Sequence, residues 1–225
     1  MTDALNGKAL FIDFDSTFVK IETIDELARL TLQDDPDKDS KIDLISGITS
    51  QAMSGEIDFP AALERRLKIL SLTSESIRQA TDQISSLVSD SFKTNRQIIK
   101  EHCDDIWIVS GGFFEVIAPI VAEYGVSESH ILANTLLFEG DRVIGCDRSS
   151  PLFQDKGKIR AIESIETSKQ RVVIGDGHTD LEVYLEGAAE HFICYTENVS
   201  RQKVLAQSRH IASSFEQMLE IVNKI

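Results

Sequence analysis

Asp13-Phe14-Asp15-Ser16-Thr17 directly follows the apolar run Ala9-Leu10-Phe11-Ile12. A short apolar run of this kind reads as a buried strand. Asp is a poor strand former, so the two acids mark where that strand gives out. In open α/β sheets the carboxyl ends of the strands are where ligands bind. Two carboxylates this close repel each other unless a cation lies between them, and a hard cation such as Mg²⁺ suits oxygen ligands. A carboxylate in such a position can attack phosphorus and form an aspartyl-phosphate. The plainer alternative is a strand-to-loop turn capped by Asp and Ser, which is common in α/β proteins.

The rest of the chain sorts into alternating elements. The first strand is expected over about Lys8–Phe14. Thr23-Ile24-Asp25-Glu26 has the pattern of a capping box, with Thr23 as N-cap and Glu26 three residues on. Ile24, Leu27, Ala28 and Leu32 then form a helical apolar stripe, broken at Asp34-Asp35-Pro36-Asp37. Helices are expected over about 41–54, 58–70 and 74–88, with no convincing strand among them. From Ile106-Trp107-Ile108-Val109 onward strands and helices alternate, with helices at 113–124, 157–166 and 180–186 and strands near 131, at 171–174 and at 192–195. Such alternation implies a parallel sheet with helices on both faces. The stretch 135–144 has the look of a hairpin turning at Gly140-Asp141. The expectation is an α/β, Rossmann-like core formed by about 1–20 and 90–225, with a helical insertion at about 21–89.

Length and charge exclude several classes of function. A chain of 225 residues has room for one core domain and a sizeable insertion. Its net charge of −14 argues against sequence-independent nucleic-acid binding and against docking on anionic lipid. An anionic substrate would meet an unfavourable overall field, so local cations must offset it. Cys103, Cys146 and Cys194 form neither a CxxC pair nor a disulfide framework, which suits a reducing compartment and a role as small core residues. No run approaches the ~20 apolar residues of a membrane span. Met1–Lys8 lacks the features of a signal peptide. A cytoplasmic protein is expected, with its oligomeric state left open.

Three further segments repeat the theme of the first. Ser110-Gly111-Gly112 follows the apolar run at 106–109. Lys156-Gly157-Lys158 precedes a helical stretch. Gly175-Asp176-Gly177-His178-Thr179-Asp180 follows Arg171-Val172-Val173-Ile174. Together with Asp-Phe-Asp-Ser-Thr, and in this order, they resemble the four motifs of the haloacid dehalogenase-like (HAD) phosphatases over most of the chain. The resemblance implies a HAD core with a cap inserted between motifs I and II. It implies that Asp13 is a nucleophile towards phosphorus and Asp15 a general acid and base. Mg²⁺ would be held by Asp13, the backbone carbonyl of Asp15 and Asp176, with Asp180 supporting the site from behind. Ser110, Gly111 and a lysine would bind phosphate. Alignment favours Lys156 for that lysine, with Lys158 a rival that periodicity cannot separate. Ser110 is equally an ordinary helix N-cap, and a free N-cap is itself an anion site. His178 is read as a solvent-facing loop residue and is given no role, and Lys20 is not placed.

The insertion resembles that of the phosphoserine phosphatases in Glu22-Thr23-Ile24-Asp25-Glu26-Leu27-Ala28, in Ala52-Met53-Ser54-Gly55, in Phe59 and in Arg65-Arg66-Leu67. That likeness implies a substrate pocket lined by Glu22, Met53, Phe59 and Arg66, with Gly112 and Thr179 on the core side. Glu22 would take an ammonium and Arg66 a carboxylate, while Met53 and Phe59 would shield the site from water. Periodicity gives separate support, because Phe59, Leu63, Arg66, Leu67 and Leu70 share one helical face. An arginine on such a stripe either meets an anion or lies at the stripe's edge with its head in water. Thr179 departs from the Asn that many relatives carry there. The expected substrate is thus a small phosphorylated metabolite, O-phosphoserine foremost. The alternatives are another phosphomonoester, phosphoryl transfer to an alcohol, or a non-catalytic binding protein on the same scaffold. A dehalogenase, which needs no metal-binding acids, fits Asp176 and Asp180 poorly.

Overall fold

The structure, a computed structural model, describes Leu5, residues 7–54 and residues 56–225. The chain runs β1 (Lys8–Ile12), α1 (Thr23–Thr31), α2 (Lys38–Ser54), α3 (Phe59–Leu70), α4 (Ser74–Ser85), α5 (Asp90–Thr94) and α6 (Arg96–Glu101). It continues with β2 (Ile106–Phe113), α7 (Phe114–Ala122), β3 (Ile131–Asn134), β4 (Leu136–Glu139), β5 (Arg142–Cys146), α8 (Gly157–Glu163) and β6 (Gln170–Gly175). The last elements are α9 (His178–Leu185), β7 (His191–Tyr195), α10 (Gln202–Leu205), β8 (His210–Ala212) and α11 (Phe215–Val222).

Six strands form one parallel sheet in the order β3-β2-β1-β6-β7-β8. β1 is buried along its whole length, Lys8 included, and its apolar run Ala9–Ile12 suits a strand covered on both faces. From β1 the chain moves outward through β2 to β3, then returns to β6 on the other side of β1 and moves outward again. The order therefore reverses beside β1, and the crevice at the carboxyl ends there is the expected ligand site of an open sheet. Asp13 and Asp176 directly follow β1 and β6, and Ser110 lies in the irregular end of β2, where pairing with β3 shifts register between Val109 and Phe113.

Apolar layers pack on both faces. On one, the rings of Phe11 and Trp107 stack 5.2 Å apart. On the other, Phe18, Phe92 and Phe215 form a chain of ring contacts at 5.0 Å and 5.1 Å. Burying each such ring contributes roughly 1.5–3 kcal/mol.

Helices α1–α4 lie between β1 and β2 in the chain, and two adjacent segments carry the chain out to them and back. Val19 and Val88 form an antiparallel bridge. Lys20 N–H donates to the Leu87 carbonyl at 2.9 Å, and Ser89 N–H to the Phe18 carbonyl at 2.9 Å. Lys20 also pairs with Asp90 at 2.7 Å across the same seam, on the surface. A second seam forms where the β4–β5 hairpin meets the start of α4. Val143 N–H donates to Leu72 at 2.9 Å, Ser74 N–H donates to Asp141 at 2.7 Å, and Thr73 bridges Arg142.

Three local expectations are corrected. Thr23 is not an N-cap. Glu22 holds that position and Thr23 is the first helical residue, with its N–H and hydroxyl both given to Asp15 Oδ1. A carboxylate from the preceding turn thus takes the place of the capping side chain, where the helix dipole favours an anion. Glu26 bonds Arg29 instead. Ser110 is not a helix cap either, because β2 continues to Phe113 and α7 starts at Phe114. Finally, β1 ends at Ile12 rather than Phe14, and a wide turn over Phe14–Phe18 follows.

Candidate active site

Asp13 is buried, and its Oδ1 accepts from the Phe14 N–H at 2.8 Å and from Lys158 Nζ at 2.8 Å. Burial raises its pKa well above the ordinary carboxylate value, and the charges of Asp180 and Asp176 push the same way. Lys158 opposes them. Asp176, directly after β6, accepts from Arg201 Nε at 2.6 Å, and burial with Asp180 raises its pKa as well. One carboxylate oxygen from each of Asp13, Asp176 and Asp180 lies within 4.8 Å of the others. Three acids converging with oxygen ligands only, two of them resisting ionisation, fit a hard divalent cation.

The turn after Asp13 aims the second acid elsewhere. Ser16 adopts φ +54°, a left-handed conformation unusual for a residue other than glycine. It is held by its N–H to the Ile21 carbonyl at 3.1 Å and by its hydroxyl to Glu22 Oε1 at 2.7 Å. Backbone strain of this kind tends to cluster at functional sites. Asp15 thereby turns its carboxylate to the start of α1, outside the group of three acids. Burial and the nearby charge of Glu22 raise its pKa to about 7, against the two bonds from Thr23.

The acidic end of β6 depends on glycine. A Cβ on Gly175 would stand 2.2 Å from Asp180 Cγ, so no other residue lets that carboxylate fold back over the strand end. Asp180 also accepts from the Gly177 N–H at 3.2 Å and from Lys158 Nζ at 2.6 Å.

The two rival lysines separate clearly. Lys158 bridges Asp13 and Asp180 with its side chain 12 % exposed, whereas the Lys156 side chain is 53 % exposed and pairs with Glu186 at 2.5 Å. Burial works against the charge of Lys158, but Asp13 and Asp180 outweigh it and hold the ammonium above the ordinary lysine value. Of the two candidates for the phosphate-binding lysine, it is therefore the rival Lys158, and not the Lys156 that alignment favours, that the structure brings to the acids. Lys156 begins α8 in a left-handed conformation with its amine directed to α9, while Lys158 lies inside the first turn and faces the sheet.

Ser110, Gly111, Gly112, Phe59, Arg66, Glu22 and Thr179 all line one cavity of about 510 Å³ together with Asp13, Asp15 and both lysines. Ser110 Oγ accepts from the Gly112 N–H at 2.9 Å. The Phe59 ring closes on Gly111 so tightly that a Cβ there would meet it at 3.1 Å. Arg66 is buried, with its Nε donating to the Ala62 carbonyl at 3.3 Å and Nη1 to Thr49 Oγ1 at 3.4 Å. Burial lowers its pKa, and the charges of Asp25, Glu22 and Asp15 offset that. Its head is thus not in water, which removes the edge-of-stripe alternative. Met53 falls on α2, but its side chain lies outside the described residues. His178 is exposed.

Arg201 is a site residue that motif reasoning missed. Its Nη2 reaches Glu22 Oε1 at 3.3 Å while Nε holds Asp176, so it bridges the core acids to the start of α1. The available signal was its place just beyond the carboxyl end of β7, where an open sheet collects ligand-binding residues.

The family profile described as haloacid dehalogenase-like hydrolase matches residues 10–184. The phosphoserine phosphatase of Drosophila melanogaster is 32% identical over 212 residues, covering 92% of this chain and 75% of that one. The human phosphoserine phosphatase is 26% identical over 218 residues, covering 95% and 92%. The crystal structure of a phosphoserine phosphohydrolase-like protein from Francisella tularensis superposes with a TM-score of 0.81 at 28% identity, covering 95% of this chain and 99% of that one. Among the described residues, no helix is long and apolar enough to cross a membrane. The similarity to known phosphatases thus runs along nearly the whole chain, and the protein belongs to the haloacid dehalogenase-like hydrolases, as a phosphatase of the phosphoserine phosphatase-like kind.

Proposed function

We propose that this chain hydrolyses O-phosphoserine to serine and phosphate through an aspartyl-phosphate on Asp13. The observation that carries the reading is the shared cavity. A buried arginine, Arg66, and an acid, Glu22, line the same space as the acid pair Asp13 and Asp15. An amino acid esterified to phosphate presents a carboxylate, an ammonium and a phosphoryl group, one for each of these. The relatives' names, phosphoserine phosphatase in fly and human, point to the same substrate.

In this mechanism Asp13 attacks phosphorus. Two donors converge on its Oδ1, which fixes the carboxylate's rotation and presents Oδ2 to the ester. Asp15 protonates the departing serine oxygen and then removes a proton from the water that cleaves the acyl phosphate. A pKa of about 7 gives it both forms near neutrality. Its Oδ1 is held by Thr23, so Oδ2 serves the proton transfers. Lys158, Ser110 and the N–H of Gly111 bind the phosphoryl oxygens, with Lys158 taking the part that alignment gave to Lys156. Glu22 takes the ammonium and Arg66 the carboxylate. Phe59, and by the resemblance Met53, exclude water, while Gly112 and Thr179 complete the core side. The helices α1–α4 act as a cap, in line with a division into 1–20 with 90–225 and 21–89. Mg²⁺ held by Asp13, Asp176 and the Asp15 carbonyl, with Asp180 behind them, would neutralise the charge that gathers as two anions approach.

The deciding experiment is phosphate release from a panel of phosphomonoesters with Mg²⁺ and in excess EDTA. Release from phosphoserine above the other esters, lost on chelation and restored by Mg²⁺, is expected. Full turnover in EDTA with no metal found by elemental analysis would remove the metal from this account. A flat profile across the panel would remove phosphoserine.

A further inference from the structure

Asn198 sits where three parts of the site meet, and the reaction above does not use it. Its Nδ2 lies 2.7 Å from Ser89 Oγ, 3.1 Å from the Ser16 carbonyl, 3.3 Å from that of Thr17 and 3.4 Å from that of Val19. All four are acceptors here, because Ser89 Oγ donates its own hydrogen to the Thr17 carbonyl at 2.7 Å and turns only lone pairs to Asn198. The amide nitrogen is therefore the end that this place requires. Ser16, Thr17 and Ser89 are buried, where a carbonyl without a donor is costly.

The acceptors belong to two segments that the chain brings together, Ser16–Val19 on the way out to α1–α4 and Ser89 on the way back. The loop that carries Asn198 is itself tied down. The carboxylate of Glu197, one residue earlier, accepts from the Ser91 N–H at 3.0 Å and from the Tyr195 hydroxyl. Three residues later, Arg201 holds Asp176 and Glu22. One side chain thus touches the turn that aims Asp15, the returning segment, and the loop that delivers Arg201.

We propose that Asn198 is a positioning residue of the active site: it clasps the outgoing and returning segments to the loop 197–201, and so keeps Asp15 in register with Arg201, which holds Glu22 and Asp176. Its part in turnover rests on the phosphatase reading above; its part as a clasp does not.

Amide hydrogen exchange tests the clasp and kinetics test the positioning, with the same variants. The N–H groups of Ser16, Val19, Lys20 and Ser89 are bonded within the two segments. In Asn198→Ala their exchange should speed up by about tenfold or more, as for a local opening, while β1 and α11 stay protected. Faster exchange confined to 197–201, or spread evenly over the sheet, would overturn the clasp.

In turnover of phosphoserine, Asn198→Ala should lower kcat by about 10- to 100-fold, the scale of a small misplacement of reacting groups, and raise KM. Asn198→Ser keeps a donor and should recover part of both. Asn198→Asp has the same size but offers oxygen to oxygen and should do no better than alanine. If the Asp variant matched wild type, or if Ser were no better than Asp, the positioning role would be wrong. Should the alanine variant not fold, the contrast of Asp with Ser carries the same comparison. A wild type inactive on every phosphomonoester would sink the phosphatase reading, and the exchange result would still decide the clasp.

Discussion

Lys158 Nζ stands 2.8 Å from Asp13 Oδ1, inside the sheet-facing turn of α8, and not at the exposed position two residues earlier. Lys158→Ala should therefore lower kcat by about 10²–10³, the cost typical of removing one preorganised donor to a developing anion. It should also reduce stability, since Asp13 and Asp180 lose their shared cation. Lys156→Ala should stay within about threefold of wild type, because its partner Glu186 is a surface acid. Steady-state kinetics on the two variants decides between them, and the reverse ranking would return the role to Lys156.

Asp13→Asn should abolish turnover with the fold intact, because shape is kept and the attacking charge is lost. In EDTA at pH 8 its Tm should be above that of wild type, since burial and two neighbouring acids oppose the charge on Asp13. A gain of about 2–4 °C corresponds to each kcal/mol relieved in a chain of this size. Residual phosphatase activity near the wild-type rate would rule out the aspartyl-phosphate.

The pH dependence follows from Asp15. Its folded pKa, about 7, lies above the ordinary 3.8. The folded protein thus binds the proton more tightly, and this contribution to stability is full below about pH 4 and lost as pH rises through 7. His191 and His210, pushed downward by burial, act in the opposite direction. The readout is therefore the difference between variants. In EDTA, Tm of wild type minus Tm of Asp15→Asn should fall from pH 5 to pH 8. A difference that rises over that interval would contradict the buried, Glu22-facing setting of Asp15.

Specificity should separate from chemistry in the inserted helices. Arg66→Ala should cost about 2–4 kcal/mol in kcat/KM for phosphoserine, roughly 30- to 1000-fold, as when a buried charge loses its partner. Glu22→Gln should lose less, because an amide still accepts a hydrogen bond. Hydrolysis of p-nitrophenyl phosphate, which has neither an ammonium nor a carboxylate, should change far less in both. Equal losses on the two esters would mean that these residues organise the helices and do not read the amino acid.

Much of this arrangement was legible in the chain. Apolar runs ending in Asp13 and Asp176 announce buried parallel strands with acids at their ligand-binding ends, and the sheet follows from burial on both faces. The stripe on α3 was readable for the same reason, since periodicity reports which side chains share a face. Long-range electrostatics was not. Thr23 and Glu26 match a capping box, but nothing local says that Asp15 will come over the helix start and take both donors from Thr23. Lys156 and Lys158 differ by two residues, and only the left-handed start of α8 decides which one faces the acids. Arg201 belongs to no short pattern, and its partners Asp176 and Glu22 lie 25 and 179 residues away. β8 has only three residues, His210–Ala212, too short a stretch for alternation to show.

Helix α4 runs from one seam to the other. Its first turn is bonded to the β4–β5 hairpin through Ser74, and its end leads into Leu87 and Ser89, which are bonded to the outgoing segment. Twelve residues at 1.5 Å each set these seams about 18 Å apart. Between the seams α4 packs against α7 of the core and against α1, so it ties the inserted helices to the sheet side of the molecule. Phe59 and Arg66 share the rigid rod of α3, so they cannot move independently: the ring packed on Gly111 and the buried guanidinium keep a fixed spacing along one wall of the cavity.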